Sequence, residues 1–489
     1  YFSELNLKYE IYIPDRKKEG YGPSIESFKK LIKKGVKVIF TVDCGTLSFD
    51  AIKYAKKNNI DVMVIDHHQS EVTLPDAFSI INPNRLDDKS NLQYLCAAGV
   101  TFMFLVSINR ELRSNNWFNK NKINEPNLIN FLDLVSLGTV CDVVPLTGLN
   151  RAIVKQGLKI IQSKKNLGIK TLLSICNIDT NPSTYHLGYM LGPRINAGGR
   201  VGKCSHGANL LLDKDPKNSF KLASELDQFN KERQILEKDL LQKILNKTKN
   251  YLKDPVLILS GSNWHEGVIG IVAARLKDKF NKPTILISFD GNIGKASARS
   301  IVGFDIGSVI IAASHENILL KGGGHKMAGG FSIKLENIEK FRKFIFKKFE
   351  SINENLKIEK PLLVDSIISP SAVNIEFYKK VALLSPFGSG NPEPKFVIED
   401  LKTINGKIVG ESHIKSVLIG KDGSTIKSIA FNSLEKDISP FLIKKNNKSF
   451  NIAGKLSLNE WKGQSNVEFI IDDISVNKTV KNKVPSSIG

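Results

Sequence analysis

Two short apolar runs constrain the fold of this chain more than any other feature. Val38-Ile39-Phe40-Thr41-Val42 ends in Asp43, and Val62-Met63-Val64-Ile65 ends in Asp66-His67-His68. Each run is short, β-branched and bounded by polar residues, so each reads as a buried strand. Between them, Leu47 to Asn58 carries a helix-like pattern. A strand-helix-strand unit sets its strands parallel, with their C-terminal ends on one side. Open α/β sheets bind ligands outside those ends. Asp43, Asp66, His67 and His68 are therefore expected to converge at one sheet edge, where crowded carboxylates call for a divalent cation.

A third acid, Asp142, lies in the apolar segment Leu137-Gly138-Thr139-Val140-Cys141-Asp142-Val143-Val144-Pro145-Leu146. A lone acid there could be a helix cap or a turn residue; three acids with paired histidines are harder to dismiss. Mixed carboxylate and imidazole donors suit Mn(II) or a related ion, whereas thiolates would signal zinc or iron. Two such ions about 3.5–4 Å apart can clamp a phosphate. Neighbouring residues of a strand point to opposite faces, so His67 and His68 are expected to diverge and to have different tasks.

At 489 residues, 41% of them hydrophobic, the chain is long enough for two to four domains with real cores. Its 70 Lys+Arg against 49 Asp+Glu leave a net charge of +21. Such a balance favours polyanionic partners, nucleic acid first; abundant lysine, isoleucine and asparagine offer compositional drift as the bland alternative. Five scattered cysteines (Cys44, Cys96, Cys141, Cys176, Cys204) argue for a reducing compartment and against a disulfide framework or a zinc site. No apolar run approaches the ~18–20 residues that span a bilayer, and no basic-then-apolar leader opens the sequence. The expectation is a cytoplasmic protein with no membrane partner.

Residues 1–212 alternate strand and helix patterns, the mark of a parallel sheet. Tyr9-Glu10-Ile11-Tyr12-Ile13 also reads as a strand. Residues 213–250 carry Leu222, Leu226, Phe229, Leu236, Leu240 and Ile244 at helical spacing amid charges, which predicts a long amphipathic connecting helix. A second, smaller α/β domain is expected over 251–352. Over 360–478, short alternating segments separated by turn signals suggest an OB-like β-barrel. The polar tail 477–489 is expected to be disordered.

Three further stretches could carry chemistry. Ile13-Pro14-Asp15-Arg16-Lys17-Lys18-Glu19-Gly20-Tyr21-Gly22 mixes charge, glycine and an aromatic, although a surface loop explains it equally well. Leu191-Gly192-Pro193-Arg194-Ile195-Asn196-Ala197-Gly198-Gly199-Arg200 sets two arginines around Asn196 and a glycine pair. Arginine forks match phosphate oxygens and glycines admit a ligand close to the backbone; a structural turn is the alternative. The third combines Trp264-His265-Glu266-Gly267, Ala298-Arg299-Ser300 and Gly322-Gly323-Gly324-His325-Lys326-Met327-Ala328-Gly329-Gly330. A glycine-rich loop with Lys and His can cradle phosphate through backbone N–H groups, but the spacing is not that of a Walker loop. Either histidine alone could be a packed or capping residue.

In this order, Ile-Pro-Asp-Arg-x-x-Glu-Gly-Tyr-Gly, Val-Asp-Cys-Gly, Asp-His-His, Cys-Asp-Val-Val-Pro-Leu, Gly-Pro-Arg-Ile-Asn-Ala-Gly-Gly-Arg and Gly-Gly-Gly-His-x-Met-Ala-Gly-Gly closely resemble the RecJ family. These are single-strand-specific 5′-to-3′ DNA exonucleases of the DHH phosphoesterase superfamily. The resemblance extends through Ser385-Pro386-Phe387-Gly388-Ser389-Gly390-Asn391-Pro392-Glu393-Pro394, which looks like the approach to the family's OB-like domain. It implies a DNA-repair and recombination nuclease using Mn(II) or Mg(II), with two ions. Asp43, His67 and Asp142 would ligate metal, Asp66 would orient a histidine, and His68 would face the scissile phosphate. Arg194, Asn196, Arg200, Trp264, His265, Arg299, Ser300, Gly323, Gly324 and His325 would hold the strand. Single-stranded DNA is the implied substrate, and a single-strand-binding protein and a helicase are implied partners.

The family's first motif, a strand ending in Asp-x-Asp, is expected before Tyr9, and Tyr1 to Lys8 do not contain it. On that reading the chain is a fragment of an active enzyme and is itself impaired. Two rivals stand beside it: a DHH phosphodiesterase of short RNA or cyclic dinucleotides, and a DHH-derived DNA-binding scaffold without chemistry. The third domain argues against the first, and the intact Asp43, His67, His68 and Asp142 argue against the second.

Overall fold

The computed structural model of the chain describes residues 1–15, 19–353, 362–443, 446–461 and 464–476. Arg16, Lys17 and Lys18 of the charged N-terminal motif and the tail 477–489 lie outside the described residues. The chain divides into two compact units. One runs to Val144 and from Ala152 through the helix Ile338–Asn353; the other joins Pro145–Arg151 to the C-terminal region.

The first unit opens on a parallel sheet, β1 (Val38–Val42), β2 (Asp61–Ile65) and β3 (Ser79–Ile81), in that order. The β1–β2 register runs from Val38 opposite Asp61 to Val42 opposite Ile65. The next residue of each strand therefore emerges at the same edge. Asp43 N donates to Ile65 O at 3.0 Å, and Asp66 N donates to Ile81 O at 3.0 Å. The crossover helix Phe49–Lys57 buries Ala51, Ile52 and Ala55 against Ile39, Val62 and Val64, with Phe28 and Leu31 completing the cluster. β1 is half-buried rather than buried, since Val38 and Val42 face solvent. Tyr9–Ile13 is not a strand: no ladder partner is present among the described residues, and Tyr9 and Ile11 stay exposed. Tyr12 packs on the sheet's core cluster, but only as a side chain, with no ladder joining the segment to the sheet among the described residues.

A helical layer follows, packed around Leu137, Leu172, Leu187, Leu191 and Leu210. The long helix Pro216–Thr248 joins two cores. Its Leu222, Ala223 and Leu226 enter this layer, while Leu240 and Ile244 pack on Val268, Val272 and Leu276 of the helix Glu266–Phe280. That helix covers a five-stranded sheet of β4 (Leu257–Ser262), β5 (Thr284–Asp290), β6 (Ile293–Arg299), β7 (Lys321–His325) and β8 (Ala328–Lys334), ordered β4-β5-β6-β8-β7. Only β4 and β5 are parallel.

The glycine-rich stretch is the β7–β8 hairpin and not a loop, with Gly323 opposite Gly330 and Gly324 opposite Gly329. Most of its glycines serve close packing. A Cβ on Gly324 would stand 2.5 Å from Ala328 O, and one on Gly322 would stand 2.7 Å from Ile310 Cγ2 of the helix Ile306–His315. Gly323 alone of that triplet has open space around it.

The second unit is a barrel of β10 (Phe396–Val409), β11 (His413–Ile419), β12 (Thr425–Ala430), β13 (Asn446–Trp461) and β14 (Gln464–Ser475), with β9 (Ser366–Ile367) added beside β10. Pairing runs β10-β11-β12-β14-β13 and returns to β10, with β12–β14 parallel. That closure is the five-stranded OB topology. Phe396, Leu401, Ile414, Leu418, Phe450 and Phe469 fill it.

Candidate metal centre and nucleic-acid interface

At the C-terminal edge of β1 and β2, His67 Nε2 stands 3.2 Å from Asp43 Oδ1 and 3.5 Å from Asp142 Oδ2. Donor atoms of Asp43, His67 and His68 lie within 4.8 Å of one another. Asp142 arrives from elsewhere: it caps the C-terminal end of the helix Leu132–Cys141. Both turns leading out of the site are conformationally unusual, with φ of 62° at Asp43 and 61° at Val143. A left-handed β-branched valine is strained and persists only where its surroundings impose it.

The histidines do not diverge. β2 ends at Ile65, so the alternation of a strand stops before them, and their rings meet edge to face with centroids 4.8 Å apart. The turn that holds them is built on Asp66, which is 1% exposed. Its Oδ2 accepts from Thr46 N at 3.0 Å and Thr46 Oγ1 at 2.7 Å. Its Oδ1 accepts from His67 N at 2.8 Å and lies 2.7 Å from His68 Nδ1. Burial pushes the Asp66 pKa up, but the hydrogen bonds from His68 and Thr46 outweigh it and hold the carboxyl well below the usual range. Asn82 and Asn84 fix the outgoing backbone, donating to His68 O at 2.9 Å and His67 O at 2.6 Å.

Electrostatics supports a cation at this edge. For His67, burial works against the charged ring, yet the Asp43 hydrogen bond and the Asp142 charge raise its pKa. Burial pushes the Asp142 carboxyl up, partly countered by His67. Two acids facing one imidazole nitrogen make a donor set that fits a divalent ion of borderline hardness. His68 is charged more readily than usual because Asp66 accepts its hydrogen bond.

The second sheet reaches the same place. His325, at the end of β7, stacks on His68 with centroids 5.9 Å apart and planes 22° from parallel. Tyr21 closes the other side: its hydroxyl donates to Asp43 O and its ring meets His68 edge-on at 6.0 Å. Of the remaining sequence candidates, several have other partners. Leu191–Arg200 is a helix and not a turn: Gly192–Val201 continues from the π-helical turn His186–Leu191. Arg194 Nε donates to Asp227 Oδ1 at 2.8 Å and its Nη1 to Met190 O at 2.8 Å, binding that helix to the long one. Asn196 and Arg200 line a cavity of about 150 Å³ together with Cys141, the residue before Asp142, and Arg200 Nη1 also donates to Gly267 O at 3.0 Å. His265 caps the helix Glu266–Phe280 through Nδ1, and Trp264 lies flat over Gly261. Ser300 is buried, donating to Phe304 O at 2.6 Å. Arg299 donates to Ala298 O at 2.8 Å, and burial lowers its pKa.

Sequence reasoning passed over Thr46, Asn82, Asn84 and Arg233 and did not single out Tyr21. Asn82-Pro83-Asn84 after β3 carried a turn signal that could have marked it. Thr46 carried none, because its partner Asp66 lies twenty residues on. Arg233 pairs within its own helix with Asn230 and Glu237, and its place beside Arg200 comes from how that helix packs.

The Arg194–Asp227 pair makes an acid-stability prediction. Burial raises the Asp227 pKa, while Lys231 and Arg194 pull it down to a net decrease. A depressed folded pKa contributes stability above the unfolded value of about 3.9 and loses it as pH falls through the folded one. Asp227→Asn is expected to cost roughly 1–3 kcal/mol at neutral pH. Denaturant midpoints of parent and variant should draw together below about pH 4.

Family models match residues 1–139 to the DHH family N-terminal domain, 236–351 to the DHHA1 domain and 364–473 to the RecJ OB domain. The single-stranded-DNA-specific exonuclease RecJ of Haemophilus influenzae is 34% identical over 481 residues, covering 95% of this chain and 82% of that protein. The Bacillus subtilis RecJ is 30% identical and covers 97% of this chain and 58% of that protein. Among solved structures, Thermus thermophilus RecJ in complex with Mn2+ superposes with a TM-score of 0.77 at 26% identity, over 94% of this chain and 65% of that one. A Mg2+ complex of the same protein gives 0.68 at 26% identity over 91% of this chain and 62% of that one. Among the described residues no helix is long and apolar enough to cross a membrane. With a parallel DHH sheet, a DHHA1 domain and an OB barrel in one chain, the protein belongs to the RecJ family of metal-dependent exonucleases.

Proposed function

We propose that this chain binds single-stranded DNA and hydrolyses its terminal phosphodiester from the 5′ end, releasing 5′ mononucleotides, with Mn(II) or Mg(II) held by Asp43, His67 and Asp142. The observation that carries this reading is the approach of both carboxylates to His67 Nε2, at 3.2 and 3.5 Å, beside His68 and His325. When bound, the ions supply positive charge that polarises the phosphoryl group and an attacking water. The protein's own groups do the positioning. Asp66 holds His68 Nδ1, which leaves the other ring nitrogen to donate to a phosphate oxygen. His325, Asn196, Arg200, Arg299 and the open backbone at Gly323 would track the strand's phosphates, while Arg194 keeps the helix that carries Asn196 and Arg200 in place. A two-ion site needs more donors than the three this reading assigns, so this chain is proposed to hold a second ion weakly and to turn over slowly.

A single-strand-binding protein and a helicase are the partners this reading carries, and five unpaired cysteines suit the reducing cytoplasm. In this reading the phosphoesterase domain spans 1–212, the connecting helix 213–250, the substrate-binding domain 251–352 and the OB-like domain 360–478. An activity limited to short RNA or cyclic dinucleotides is disfavoured by the barrel, which such a substrate would not need.

The test uses oligodeoxynucleotides labelled at either end, with manganese. The expected result is early release of the 5′ label as a mononucleotide, with duplex resistant. Binding should weaken with salt at a log–log slope of about −0.7 per phosphate contacted. Faster turnover of a dinucleotide than of the oligomer would overturn the exonuclease reading; salt-sensitive binding with no hydrolysis, even at high manganese, would favour the scaffold.

A further inference from the structure

Tyr185 and Tyr189 lie one helical turn apart with rings stacked, centroids 5.2 Å apart and planes 28° from parallel. Both stand largely in solvent, 60% and 74% exposed. Burial of apolar area does not explain two phenol rings held face to face in water. They flank and enter the π-helical turn His186–Leu191, and such turns recur at functional sites. Gly188, between them, and Gly192, directly after that turn, line the cavity shared with Cys141, Asn196, Arg200 and Arg233. One short stretch of chain thus carries an exposed aromatic pair and part of the wall of a cavity lined by Arg200, which also donates to Gly267 O, by Arg233, which is paired with Glu237, and by Cys141, the residue before Asp142. The net charge of +21 fits a polyanion as the occupant.

We propose that Tyr185 and Tyr189 form a stacking platform for the bases of single-stranded DNA as its backbone enters the Arg200–Arg233 cavity toward the metal residues. The platform rests on the exonuclease reading and adds positioning residues to it. Stacking is sequence-tolerant, since every base has a π face, and it requires an unpaired base. The pair therefore favours single strands over duplex by chemistry.

The experiment measures binding by the full chain, without added metal, of a fluorescent oligothymidylate of about 16 nucleotides and of its abasic counterpart. The double variant Tyr185→Ala/Tyr189→Ala is expected to lose affinity for oligothymidylate by roughly tenfold or more. Its affinity for the abasic strand should stay within about twofold, because that strand has nothing to stack. Tyr185→Phe/Tyr189→Phe should restore oligothymidylate binding, since phenylalanine keeps the ring. Equal losses on both strands, or no loss on either, would overturn the platform alone. If the parent chain binds neither strand, the nuclease reading fails and the platform falls with it.

Discussion

Asp142→Asn removes the manganese-induced rise in melting temperature and lowers hydrolysis by roughly a thousandfold, because a bound ion contributes several kcal/mol of transition-state stabilisation. The same variant is expected to be more stable than the parent when no metal is present. Burial holds the folded pKa of Asp142 above its ordinary value. A raised carboxyl pKa costs stability wherever the group is ionised, that is above about pH 4, and the amide carries no charge to desolvate. Loss of function with a gain in apo stability is the mark of a residue kept for its ligand and not for the fold. His67→Ala gives the control: it should abolish the metal response in the same way. Calorimetric titration with manganese and melting curves with and without the metal read both effects. A variant that kept the parent's metal-induced shift would remove Asp142 from the donor set and with it the proposed centre.

How much of this was legible in the sequence follows from how local each determinant is. The strand-helix-strand unit was readable because β-branched runs and a helical spacing are properties of contiguous residues. Asp43 and Asp66 then had to share an edge, since parallel register leaves no other place for them. The barrel was legible as short alternating strands, and the long helix as a stripe, although Leu236 faces outward at its middle. What stayed hidden depends on partners far away in the chain. Nothing near Arg194 announced that Asp227 would take its guanidinium. The hairpin geometry of Gly322–Gly330 was masked because a glycine run carries no period by which a strand is recognised. The divergence expected for His67 and His68 is absent because β2 ends at Ile65, so the two histidines follow a turn and not the alternation of a strand. The meeting of His325 with His68 was outside the reach of any local signal.

Asp66 is the residue whose removal should be felt in both fold and chemistry. Its carboxylate is buried and accepts from Thr46 N, Thr46 Oγ1, His67 N and His68 Nδ1. Asp66→Ala would leave those donors buried without an acceptor, at a cost of roughly 3–5 kcal/mol. Asp66→Asn is the informative substitution. It keeps the shape and one acceptor oxygen but cannot sustain a charged His68, whose pKa is raised chiefly by the Asp66 hydrogen bond. The expected result is a fall in hydrolysis of roughly 10–100-fold with His68 titrating lower than in the parent, followed by NMR. Asp66 touches no phosphate in this reading, so its influence on rate must pass through His68. A double-mutant cycle decides whether it does. If Asp66→Asn costs little further once His68 is alanine, the two act as one unit, with Asp66 positioning the ring and setting its charge. If the two losses simply add, Asp66 serves the turn's architecture alone and the assignment of His68 as the phosphate-facing group loses its physical basis.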